Sequence, residues 1–336
     1  MDFLNALVAF TNFVFIPATA YGAQLALGAL GVTLIYSILR FSNFAHGDTM
    51  AFGTVVAIGG TALFQSWGIN LGPLPTALLA LPFAIAITAG LLLFTDFAVY
   101  RFYRRKKVVP VVMVMVSLGV MFIMNALIRF LAGVKDINFS DGQRFIIKAR
   151  DFKQWSGLNE GLALKTSQAL TVVVAVLLVA WLFWFLNKTK TGKSMRAFSD
   201  NEDLALLSGI NPNRVVMVTW IIVAVLATTA GVLFGLDKSY SPFTYFQLLL
   251  PVFAAAIVGG LGSPLGAIAG GFVISFSEVM ITYAWKKVLT YLMPEPLEPA
   301  TLVQLLSTEY KFAVSFAILV VVLLFKPTGL FKGQSV

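Results

Sequence analysis

Apolar runs about twenty residues long, following one another with almost no charge inside them, constrain this chain more than any other feature. A bilayer's hydrocarbon core is about 30 Å thick, and an α-helix rising about 1.5 Å per residue crosses it in about 20 residues. The runs lie at about 17–39, 48–67, 76–100, 108–132, 168–187, 215–236, 247–260, 264–285 and 310–326. The run 247–260 is too short to cross comfortably and is expected to form a hairpin with 264–285, so the count is eight or nine. In hydrocarbon every backbone N–H and C=O must be satisfied internally, which leaves helices or closed barrels. The alternating ten-residue segments of a barrel are absent. The expected fold is therefore all-α, a polytopic helical membrane protein with a single transmembrane domain over residues 1–336.

Composition narrows the chemistry. Cysteine is absent and His46 is the single histidine, which excludes a disulfide frame, a thiolate metal site and a multi-histidine site. No nucleophile–base–orienter set is marked, so no catalytic residue is assigned. The net charge of +9 is explained by basic residues flanking spans, where they set orientation and meet anionic lipid, and not by nucleic acid. Three basic clusters matter: Arg101, Arg104, Arg105, Lys106 and Lys107; Lys188, Lys190, Lys193 and Arg196; and Lys326 with Lys332. Placing all three in the cytoplasm fits the span count and puts the N-terminus and residues 133–167 outside. The apolar stretch Phe3 to Ile16 lacks the basic n-region of a signal peptide. Residues 1–16 are read as a short, retained interfacial segment.

Between the fifth and sixth spans lies a polar stretch, 188–214, that holds a short soluble helix. Ser199 and Glu202 have the spacing of a capping box, and Asp200, Glu202 and Asp203 put negative charge at the favoured end of the dipole. Gly209 is placed to stop the helix in a left-handed conformation, and Asn211-Pro212 reads as the start of the next one. About nine residues make a rod of roughly 14 Å, too short to span. The alternatives are an ordinary interfacial loop helix or a handle gripped by a soluble partner. Just before it, Thr191-Gly192-Lys193-Ser194 ends like a phosphate-binding loop. The required earlier glycine is replaced by Asn187 and no strand precedes it, so ATP binding by this chain is rejected.

Polar or glycine-rich sequence interrupts the apolar pattern twice, at Phe41 to Gly53 and at Gly259 to Gly271. Interrupted helices in two halves are what transporters use near the membrane midplane. Asn43, His46, Gly47 and Asp48 in the first, and Gly260 and Gly262 in the second, are the candidates for a path or gate. The plainer readings are close packing for the glycines, including Gly262, Gly266 and Gly270 on one helix face, and a hydrogen-bonded structural role for His46 and Asn43. Three further polar groups fall inside spans. Asp96 is expected to pair with Arg101, one turn on. Glu278 costs about 2.5–3.5 kcal/mol on insertion scales if ionised, so it needs a partner, with Asn125 or a neighbouring subunit the options.

Met195 to Val215, MRAFSDNEDLALLSGINPNRV, resembles the cytoplasmic coupling loop of the branched-chain amino acid ABC permease family. Four further landmarks follow that family's order: Asn43-Phe44-Ala45-His46-Gly47; Asp96 with Tyr100-Arg101; the glycine hairpin from Ala254; and Lys326-Pro327-Thr328-Gly329-Leu330-Phe331. The resemblance runs from about residue 17 to the end.

The resemblance implies an inner-membrane permease subunit that pairs with a second, homologous permease. Two cytoplasmic ATPase subunits would use ATP and Mg, and a periplasmic solute-binding protein would deliver the solute; no cofactor or metal is bound by this chain. Arg196, Ser199, Asp200, Asn201, Glu202, Leu204, Ala205, Leu207 and Gly209 would form the ATPase-docking helix. Branched-chain or other hydrophobic amino acids are the implied solutes, with urea or short amides as alternatives. A proton-coupled transporter acting alone, using Glu278 or Asp96, is the reading from a different class. The link 286–308, external on this topology, is longer than the family's pattern, and 3–16 lies outside it.

Overall fold

In the computed structural model, residues 2–139, 142–293, 301 and 303–331 are described. Nine of the described helices are long and apolar enough to cross a membrane. They are α1 (Asp2–Leu39), α2 (His46–Ser66), α3 (Ala77–Arg105), α4 (Pro110–Ala132), α6 (Thr166–Lys188), α9 (Pro212–Lys238), α10 (Pro242–Gly259), α11 (Pro264–Thr282) and α13 (Thr308–Phe325). Shorter helices fill the links: α5 (Ala149–Ser156), α7 (Lys190–Asp200), α8 (Glu202–Leu207) and α12 (Lys286–Leu292). A small antiparallel pair, β1 (Phe145–Ile147) and β2 (Leu164–Lys165), ties the 133–165 link together.

The bundle is built around α1 and α9. Their most apolar windows are 89% and 78% buried, against 11% for α13, so the first two form the interior and the last lies at the rim. Small residues let α11 approach α1 closely. A Cβ on Gly271 would lie 2.7 Å from the Ala26 nitrogen, and one on Gly22 would lie 2.7 Å from the Phe272 ring. The Ser275 hydroxyl donates to the Ala18 carbonyl at 2.6 Å along the same seam. The face of Ala18, Gly22 and Ala26 is thus a packing surface.

The expected separate N-terminal segment has no break after it. Residues 3–16 continue as one helix into the first span, widened to a π turn at Thr11–Phe15 just ahead of Pro17, which has no N–H to give an α-helical ladder. Phe10 stacks on Trp285, and the Asn5 side-chain Oδ1 accepts from the Asn159 and Glu160 N–H groups at 3.0 and 3.1 Å. Glu160 in turn pairs with Lys287 at 2.8 Å. The start of α1, 142–165 and 283–293 therefore gather at one end of the bundle. The opposite end collects 40–45, 101–109, 188–211, 260–263 and 326–331, as the alternation of nine crossings requires.

The link between α1 and α2 does not stay at that end. Residues 41–45 are non-helical and run inward: Phe44 N–H donates to the Ser117 hydroxyl at 3.2 Å, and Phe44 stacks on Phe253. Helix α2 begins at His46, level with Gly28 and Gly31 in the middle of the first span. Backbone of this kind is tolerated at depth only when protein surrounds it and satisfies its polar groups.

Candidate functional site

Three clusters hold the residues singled out in the sequence, and the first is the broken segment itself. Asn43 Oδ1 accepts from the Ala45 N–H at 3.2 Å and from the Tyr100 hydroxyl at 3.1 Å, so it serves the freed backbone and anchors it to α3. The His46 Nε2–H donates to the Gly28 carbonyl at 3.0 Å, while Nδ1 is buried without a partner among the described residues. Gly47 leaves room for α10, since a Cβ there would lie 3.0 Å from Leu249. Asp48 does not pair with His46. It accepts from Asn125 Nδ2 at 3.0 Å. Asn43, His46 and Asp48 are 3%, 0% and 2% exposed, so the segment is closed to solvent in this conformation.

The second cluster is the soluble insertion, where the structure corrects two expectations. The helix is not one capped rod beginning at Ser199. Ser199 belongs to the last turn of α7, and the break comes at Asn201, whose extended backbone and side chain cap the six-residue α8 by accepting the Leu204 N–H at 3.0 Å. Thr189 caps α7 by accepting from Gly192 at 3.0 Å, which is the job that the GKS-like sequence does here. Gly209 ends α8 with φ +80°, and Asn211 caps α9 as expected. Met195, Phe198 and Ala205 are buried, whereas Asp200, Glu202, Leu204 and Leu207 are exposed, Leu207 at 85%. Arg196 donates to Asn187 at 2.6 Å and so braces α7 against the end of α6. A residue that sequence reasoning missed completes the frame: Arg40, at the left-handed end of α1, donates to the Ser199 carbonyl at 2.5 Å. Two hollows flank the insertion. One of about 590 Å³ is lined by Ser37, Arg196, Asp200, Gly262 and Leu265, and the other, of about 470 Å³, by Arg40, Arg101, Arg105, Glu202 and Leu206.

The third cluster is the glycine hairpin. Gly260 and Gly262, at φ +111° and +89°, make the turn between α10 and α11, so Gly262 is off the helix face that carries Gly266 and Gly270. The segment after the last span closes this turn: Leu330 and Phe331 N–H groups donate to the Val258 and Gly259 carbonyls at 2.8 and 3.0 Å.

The intramembrane polar groups also have partners other than those expected. Asp96 takes Arg104, not Arg101, at 2.5 and 3.1 Å, together with the Trp220 indole at 2.9 Å. A π turn at Asp96–Tyr100 rotates the following residues so that Arg104 reaches the carboxylate. Glu278 accepts from the Ser315 hydroxyl of α13, and Asn125 is engaged elsewhere.

Comparison with known proteins shows which family the chain resembles. The family described as "Branched-chain amino acid transport system / permease component" matches residues 16–323. The high-affinity branched-chain amino acid permease protein LivH of Escherichia coli K12 is 30% identical over 92% of this chain and 91% of its own length. BraD of Pseudomonas aeruginosa is 27% identical over 92% of both. A probable LivH of Methanocaldococcus jannaschii is 30% identical over 79% of both.

Proposed function

Because the chain belongs to the family of branched-chain amino acid transport permease components, and so is a membrane-spanning permease subunit of an ABC importer, we propose that it moves branched-chain or related hydrophobic amino acids inward. Permeases of this kind work with ATPase and binding-protein partners. In this reading the partner set is a second homologous permease, two cytoplasmic ATPase subunits and a periplasmic binding protein, and the end carrying 188–211 faces the cytoplasm. The observation that carries the reading is the pairing of exposed apolar Leu204 and Leu207 with a frame that is tied into the bundle. Such side chains, set among charges at a rim, suit a groove on a soluble partner.

The frame also supplies a route for force. ATP-driven closure of the ATPase pair would pull on Ser199 to Gly209. The Ser199 carbonyl holds Arg40, and Arg40 leads directly into residues 41–45, which end on His46 in the middle of the bundle. A displacement at the docking helix is thereby delivered to a segment inside the bundle whose backbone is already free of helix. Substrate need not be held tightly for this to work, because the binding protein supplies much of the selectivity.

Replacing Leu204→Asp together with Leu207→Asp tests the proposal. The expected result is that the ATPase no longer co-purifies and that uptake driven by binding protein and ATP falls to background, with the permease still inserted. Uptake that persists without the ATPase and vanishes when the proton gradient is collapsed overturns it.

A further inference from the structure

Charges of opposite sign face one another across a cavity at the end of the bundle opposite the docking helix, and they do not touch. The cavity measures about 380 Å³ and is lined by Glu278, Lys238, Lys311, Tyr21, Tyr283 and Phe13, among others. Glu278 is 1% exposed, and only one of its oxygens is engaged, by Ser315. Its Oε2 makes no direct hydrogen bond among the described residues, and the Tyr21 hydroxyl, also buried and without one, lies near enough to act on the carboxylate. The Lys311 and Lys238 ammoniums act on this carboxylate through space, yet none of the three ion pairs among the described residues uses Glu278, Lys238 or Lys311. Lys311 sits 5.5 Å from the centre of the Tyr21 ring, held over its face.

A buried carboxylate with a free oxygen is costly, and so is the half-buried Lys311 ammonium without an anionic partner in the same recess, which exposed Lys238 also lines. A direct ion pair is the ordinary remedy. Here the gap itself is the feature to explain. A molecule with a primary ammonium at one end and an anionic group a few bonds away fills it: the ammonium donates to Glu278 Oε2, and the anion takes Lys311 and Lys238. Phe13 and Tyr283 then offer apolar surface to a side chain.

We propose that this cavity is a zwitterion-binding site within the single permease subunit, separate from the docking helix and from the broken segment at His46. It goes beyond the transport reading and rests on it only for the choice of leucine as probe. The chemistry is shared by a free α-amino acid and by the ethanolamine phosphate headgroup of a lipid.

Equilibrium binding separates the sources and tests the site. The permease, assembled with its ATPase, is placed in nanodiscs without binding protein or ATP and titrated with labelled leucine. Wild type should bind saturably, while leucinol and 4-methylpentanoate, which each lack one charge, should not compete. Glu278→Gln and Lys238→Met should each weaken binding by about tenfold or more, the usual size of a lost charge-assisted contact. Lys238 is exposed, so its variant keeps the fold, and co-elution with the ATPase checks assembly of both. If the headgroup is the occupant, phosphatidylethanolamine in the disc should exclude leucine, and native mass spectrometry should show that lipid retained by wild type and lost from Glu278→Gln. Absence of both ligands from wild type, or binding indifferent to both substitutions, overturns the site. Normal ATP-driven uptake alongside that outcome would leave the transport reading standing.

Discussion

Asp96 shows how much rests on one side chain in an apolar bundle. Its carboxylate joins α3 to α9 by taking the Trp220 indole, and holds Arg104 at the same time. Tyr100, between them in sequence, stacks on Trp220 and donates to Asn43, so the knot reaches the broken segment. Asp96→Ala leaves a buried indole N–H and a half-buried guanidinium without acceptors. The expected cost is about 2–3 kcal/mol, read as a lower detergent melting temperature, with Asp96→Asn losing less because it keeps the indole bond. That Asp96 needed a cation was legible in the sequence. Which arginine it takes was not, because a π turn changes the face on which Arg101 and Arg104 lie and leaves no mark in residue spacing. Glu278 likewise declared its need for a partner, but Ser315 stands in a span whose packing no local pattern gives.

At the scale of elements, the soluble insertion is two helices meeting at Asn201. Ser199 and Asn201 are both good cap residues two positions apart, and the capping-box spacing favoured the wrong one. Phe198, buried one residue earlier, keeps α7 going through Ser199. Consequently Asn201→Ala should destabilise α8 by about 1 kcal/mol and weaken ATPase co-purification, while Ser199→Ala, which removes no cap of α8 and keeps the main-chain carbonyl that meets Arg40, should cost α8 less. Equal losses from the two substitutions would contradict this division. The hairpin of 242–259 with 264–282 and the caps at Gly209 and Asn211 could be read from the sequence, because each depends on residues adjacent in the chain. Arg40 could not, being 159 positions from its partner.

At the scale of the whole molecule, the nine described helices long and apolar enough to cross divide the links into two sets at opposite ends. The chain has no cysteine, so single-cysteine variants report sidedness without a background. Ser208→Cys, at the end of α8, and Ser156→Cys, at the end of α5, should react with a membrane-impermeant maleimide from opposite sides. Intact cells should label only Ser156→Cys, and labelling of both from outside would break the proposed orientation. The number of crossings was legible from apolar runs to within one, since span length is set by the bilayer; the run 247–260 looked too short, and in the structure its helix starts earlier, at Pro242, and is long enough. The route of 41–45 to the middle of the bundle was not, because a short polar link between two runs looks the same whether it lies at the surface or dips inward.

The closing of the 260–263 turn by Leu330 and Phe331 has a consequence in time. The two carbonyls that these residues satisfy belong to a hairpin synthesised some seventy residues earlier, so until the last span has been inserted that hairpin stands with its acceptors open. A chain still on the ribosome thus carries an unfinished joint until Leu330 and Phe331 have emerged to seal it.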